Sequence, residues 1–103
     1  MVVNTTNERV EHSQKMVLEL LQSDMADKSY TLNSELDHWS QQLAVGLPRF
    51  EPRHNPEQDL SHPAIAVNLD ACIQCTRCVR ACREEQNNDV IGYSQRGAHS
   101  EIV

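Results

Sequence analysis

Aromatic residues are scarce, at 4% of the chain, and apolar residues of all kinds reach only 39%. A core built from that stock is thin. Basic charge is also short: nine Lys and Arg stand against fifteen Asp and Glu, for a net charge of −6. No basic face offsets that balance, which argues against nucleic acid as the main partner. Long apolar runs are missing. The longest, Ala64 to Val67, is far too short to span a bilayer. The opening Met1-Val2-Val3-Asn4-Thr5 lacks the basic start and apolar stretch of a secretory signal, so a cytoplasmic setting is expected. There is no internal repeat, no Gly-rich phosphate loop and no recognisable nucleophile–base arrangement. At 103 residues the chain suits one small domain and not a large enzyme.

What is present begins with helical periodicity. Thr5 with Glu8 fits a capping box. Val10, Val17, Leu20 and Leu21 then recur at helical spacing, with Met16 and Leu18 nearby and polar Glu11, Gln14 and Lys15 opposite. This predicts a helix over 6–23, followed by a polar loop over 23–31. A second helix is expected over 34–45, capped by Asn33 or Ser34, with Asp37 in its first turn. Leu32, Leu36, Trp39 and Leu43 form its stripe, which places Trp39 in the core. Gly46 suits a left-handed residue beyond the helix end, and Pro48 blocks continuation.

Pro48, Pro52, Pro56 and Pro63 all fall within 48–63, which reads as an extended polar linker. Beyond it Ile65, Val67 and Leu69 alternate with Ala66 and Asn68, a short strand signal. Residues 79–86 suit a two-turn helix, and Asn87-Asn88-Asp89 a turn. Val90, Ile91 and Tyr93 suggest a return strand with a bulge at Gly92, and Ile102-Val103 the start of another.

The chemistry lies in Cys72-Ile73-Gln74-Cys75-Thr76-Arg77-Cys78-Val79-Arg80-Ala81-Cys82, spaced C-x2-C-x2-C-x3-C. With no export signal, such close thiols read as metal or redox ligands before disulfides. Iron in a cubane cluster needs a soft thiolate for each iron. Three cysteines at three-residue intervals let a tight loop wrap three corners. Cys82 sits on the first turn of the following helix, where it closes the same cluster or points at a second. All four cysteines of the chain lie in this stretch. A zinc site usually separates two C-x2-C pairs by a longer spacer, which this spacing does not provide. Arg77, Arg80 and Arg83 surround the motif, either as cations that stabilise an anionic cluster or as a solvated face. Ile73 and Val79 either shield the site from water or are ordinary core. His12, His38, His54, His62 and His99 are scattered without metal spacing and read as surface or linker residues.

The run from Ser61-His62-Pro63 through the cysteines to Arg83-Glu84-Glu85-Gln86 resembles the alpha subunit of NAD-dependent, molybdenum-containing formate dehydrogenases. More distantly it is similar to the large iron–sulfur subunit of NADH-quinone oxidoreductase. Asn88-Asp89-Val90-Ile91-Gly92-Tyr93 and Arg96-Gly97-Ala98-His99 extend the likeness. The resemblance implies a [4Fe–4S] cluster on Cys72, Cys75 and Cys78, with Cys82 crossing to a second cluster as in two-cluster ferredoxins. It also implies electron relay between a molybdopterin site and a flavin-bearing NAD unit, with other domains and subunits of a multi-cluster dehydrogenase as partners. The chain departs from the family in carrying no second cysteine motif, in having Arg83 where many ferredoxins have proline, and in having no cysteine before Cys72. It therefore reads as a fragment with no catalytic site of its own.

The expected fold class is α+β: a helical segment over 1–47, the linker over 48–63, and a partial bacterial-ferredoxin-like [4Fe–4S] module over 64–103. A free-standing small ferredoxin and a zinc-stabilised interaction module are the alternatives.

Overall fold

The computed structural model describes residues 1–25, 34–53 and 57–103. Helix α1 spans Glu8–Ser23, and its first turn is capped by Asn7, whose side chain accepts from the Val10 N–H at 2.9 Å. The cap is thus Asn7, not Thr5. Helix α2 spans Glu35–Gln42. Ser34 and Asp37 close a reciprocal capping box: the Asp37 N–H donates to Ser34 Oγ at 3.1 Å, and the Ser34 N–H to Asp37 Oδ2 at 3.3 Å. α2 ends earlier than expected, because Ala44 and not Gly46 takes the left-handed conformation (φ 49°). The Val45 N–H then reaches back to the Ser40 carbonyl at 2.9 Å and the Ala44 N–H to Gln41 at 3.1 Å, satisfying the last carbonyls. Leu32, Asn33 and most of the expected 23–31 loop lie outside the described residues.

The buried face of α1 differs from the apolar stripe. Glu19, Gln22 and Ser23 are buried, whereas Val17 and Leu20 are 55% and 45% exposed. The cause is the segment after α2, which runs back along α1. Arg49 donates to Glu19 from its backbone N–H at 2.9 Å, from Nε at 2.6 Å and from Nη2 at 2.8 Å. The pair holds the Glu19 carboxyl at about 2, well below its ordinary value, chiefly through the Arg49 side-chain hydrogen bonds and against the cost of desolvation. Trp39, expected in the core, is 51% exposed.

Two small antiparallel hairpins complete the fold. β1 (Asp59–His62) pairs with β2 (Ile65–Val67) in an irregular register, Asp59 opposite Val67 and His62 opposite Ile65. β1 thus occupies part of the stretch expected to be extended linker. β3 (Tyr93–Ser94) pairs with β4 (Glu101–Ile102), Tyr93 opposite Ile102. Gly92 carries no bulge. Its N–H and carbonyl both bond Val103, at 2.6 and 3.1 Å, so it extends the ladder. Among the described residues the buried apolar side chains are Met25 and Leu36 at the helices and Val79 and Cys82 at the cysteine segment. No helix among them is long and apolar enough to cross a membrane.

Candidate metal centre

Asn68 opens the cysteine segment. Its side chain accepts from the Asp70 N–H at 3.1 Å and starts a 3₁₀ turn, Leu69–Ala71. This turn replaces the end of the expected strand at Leu69 and delivers Cys72 with its N–H on the Leu69 carbonyl at 3.1 Å. Gln74 and Thr76, on either side of Cys75, are both left-handed, with φ of 57° and 58°. Each costs about 1–2 kcal/mol for a residue with a Cβ, so the loop is held in this shape by its surroundings. The shape turns the Gln74 N–H onto Cys72 Sγ at 3.4 Å.

Thr76 leads into α3, Arg77–Arg80, which carries Cys78. The expected two-turn helix then widens into a π-helical turn, Ala81–Glu85, which carries Cys82. The Gln86 N–H bonds the Ala81 carbonyl at 3.1 Å, and the Asn88 N–H bonds that of Cys82 at 3.2 Å. π turns of this kind concentrate at functional sites. All four cysteines are free thiols: Cys82 is buried, Cys72 half-buried, and Cys75 and Cys78 exposed.

The four thiols lie within eleven residues of chain, buried at Cys82, half-buried at Cys72 and exposed at Cys75 and Cys78. Among the described residues no three His, Cys, Asp or Glu side chains converge as the ligands of a single ion would. A cubane takes each thiolate at a different iron, so its ligands stand further apart than those of one ion. Four free thiols, one already accepting a backbone N–H, are a donor set that fits such a group.

The three arginines around the motif are exposed and paired with carboxylates. Arg77 Nη2 meets Glu35 Oε2 at 2.6 Å, Arg80 Nε meets Glu84 Oε1 at 3.5 Å, and Arg83 Nε meets Asp89 Oδ1 at 2.9 Å. The hydrogen bond and charge of Glu35 hold Arg77 more firmly protonated, with Cys75 adding a smaller effect. Asp89 does the same for Arg83, with Glu84 and Cys82 adding to it. Such exposed pairs add little stability. The Arg77–Glu35 pair matters as a tie between α3 and α2. Beneath it a cleft of about 400 Å³ separates the helices from the cysteine loop, lined by Leu36, Trp39, Ile73 and Cys75 among others. Ile73, on this cleft, is half-buried, and Val79 in α3 is buried. Of the histidines, His54 lies outside the described residues. His62 Nδ1 accepts from the Ala64 N–H at 3.1 Å, and His38 meets Trp39 edge-on at 5.7 Å.

Sequence reasoning missed the groups that brace the loop from the far end of the chain. Gln74 Nε2 donates to the Ser100 carbonyl at 2.8 Å, and the Tyr93 hydroxyl donates to Gln74 Oε1 at 3.0 Å. Arg53 Nη1 donates to the same Ser100 carbonyl at 2.8 Å. These contacts join positions 19 to 47 residues apart, and no local pattern signals them.

Comparison with known proteins bears on the same segment. Residues 62–103 match the ferredoxin-like domain of NADH-quinone oxidoreductase subunit 3. All four cysteines fall inside that ferredoxin-like segment. Over its whole length the chain is 30% identical to an NADH-quinone oxidoreductase subunit of Rhizobium meliloti, of which it covers 13%. It is 25% identical to a putative formate dehydrogenase of Staphylococcus haemolyticus, again over its whole length and covering 11% of that protein. The chain thus spans about an eighth of the length of these curated relatives. In fold it is similar to a chain of an NAD⁺-reducing [NiFe]-hydrogenase, with a TM-score of 0.83 over 94% of this chain and 43% of that one, at 20% identity. That likeness reaches back across α1 and α2 as well as the ferredoxin-like segment.

Proposed function

We propose that this chain is an electron-relay segment of a multi-cluster, NAD-linked oxidoreductase, in which Cys72, Cys75, Cys78 and Cys82 hold a [4Fe–4S] cluster. The observation that carries this reading is the position of the C-x2-C-x2-C-x3-C wrap, with its N–H···S bond, wholly inside the segment similar to a ferredoxin-like domain. When bound, such a cluster supplies one-electron transfer. The chain's own residues bind through thiolates, keep water from the Cys82 side, and donate a backbone N–H to sulfur.

In the whole protein, the formate dehydrogenase reading places this relay between a molybdopterin site and a flavin-bearing NAD unit, in a cytoplasmic complex with further domains and subunits. A second reading, relay within an NADH-quinone oxidoreductase-type assembly, is favoured by the higher identity to that relative, 30% against 25%. Both use the cysteine segment in the same way.

Iron, acid-labile sulfide and zinc analysis of the anaerobically purified chain tests the site. About four irons and four sulfides per chain are expected. Stoichiometric zinc without sulfide would replace the electron-transfer reading with a zinc-stabilised interaction module.

A further inference from the structure

We propose that Gln74 is a positioning residue for Cys72: its side-chain amide, bridged between the Ser100 carbonyl and the Tyr93 hydroxyl, holds residue 74 in the left-handed conformation that aims its N–H at the Cys72 sulfur. The inference rests on the reading that Cys72 is a cluster ligand, and concerns how the protein tunes that ligand.

The geometry is specific at each end. Ser100 O can only accept, so the amide must present Nε2 to it, at 2.8 Å. That orientation leaves Oε1 facing Tyr93, whose hydroxyl donates at 3.0 Å. The anchor is firm. Ser100 is 5% exposed, its carbonyl also receives Arg53 Nη1 at 2.8 Å, and it lies directly before β4, which pairs with the strand bearing Tyr93. At φ 57° glycine would be the unstrained residue. A glutamine there needs an external hold, and the two amide bonds supply it. What the hold secures is the N–H donated to Cys72 Sγ at 3.4 Å.

Hydrogen bonds to cluster sulfurs are among the terms that set reduction potential. Reduction adds one electron, and hence negative charge, to a thiolate-bound centre while no bond breaks. A donor N–H at the thiolate stabilises that added charge, so the clamped loop has a higher potential than a released one.

The test is an EPR-monitored redox titration with dithionite of the full chain as wild type and as Gln74→Leu, Gln74→Gly and Tyr93→Phe, with iron and sulfide measured on each. Gln74→Leu, similar in length but without the amide, shifts the midpoint to more negative potential. Tyr93→Phe, which removes one of the two bonds at a half-exposed site, shifts it the same way by less. Gln74→Gly reaches the left-handed conformation without strain but is not held in it, so its midpoint falls between those of Gln74→Leu and wild type. Equal potentials in wild type and Gln74→Leu at full cluster content would overturn this proposal alone, as would a Gly variant shifted as far as Leu. If Gln74→Leu retains no cluster, an unchanged potential in Tyr93→Phe overturns it. A wild-type chain without iron and sulfide would overturn the cluster reading itself.

Discussion

Glu19 is a carboxylate in the middle of a helix with only 8% of its surface exposed, and three donors from Arg49 account for it. Its carboxyl lies at about 2 in the folded chain against an ordinary 4.5. Between those values the unfolded chain binds more protons than the folded one, so stability from the pair is fully present above about pH 4.5 and is lost as pH falls toward 2. Glu19→Gln should therefore melt below wild type at pH 7. The gap in melting temperature should close as the two are compared at successively lower pH; a gap independent of pH would show that the charge contributes nothing. Nothing in the local sequence marks Glu19 as buried, and the apolar positions beside it, Val17 and Leu20, are the ones that periodicity assigns to the covered face. The inversion of that face depends on Arg49, thirty residues away, and on a chain reversal that helical periodicity cannot encode. The cysteines are the opposite case. Cys72, Cys75, Cys78 and Cys82 stand out in the sequence because their short fixed spacing is a local property, and they fall inside the segment similar to a ferredoxin-like domain.

At the scale of elements, both helices were legible, since caps and periodicity act within a few residues. Their ends were less so. α2 stops through a left-handed Ala44, although Gly46 stood two residues on as the better candidate. A glycine at 44 would relieve left-handed strain of about 1–2 kcal/mol and return part of it as greater freedom of the unfolded chain. Ala44→Gly is expected to raise stability to urea by about 0.5–1 kcal/mol, read from the unfolding midpoint. A fall would mean that the Ala44 methyl makes packing worth more than the strain. The π turn at Ala81–Glu85 had no sequence signal at all, because the same residues suit an ordinary α-helix. The position of the fourth cysteine is thus legible in the sequence, and the π turn that carries it is not. The β1–β2 hairpin was half legible: the alternation at Ile65 and Val67 marked one strand, while Asp59–His62 read as polar connector.

The whole molecule is loosely built. Its radius of gyration is 16.1 Å, against about 13 Å for a compact chain of this length. The scarcity of aromatics foretold this, and the structure meets it with long-range polar ties: Glu19–Arg49 along α1, Glu35–Arg77 between α2 and α3, and Arg53 and Gln74 on the Ser100 carbonyl. Two of these end on the cysteine segment, at Arg77 and Gln74, so α2 and the terminal hairpin brace that segment. What travels through that segment is the central claim, and an EPR spectrum of the anaerobically purified chain after dithionite reduction tests it most directly. The account predicts the signal of a reduced [4Fe–4S] cluster, lost when Cys72, Cys75 or Cys78 is replaced by serine. A colourless protein silent after reduction, or a signal indifferent to those cysteines, would contradict it.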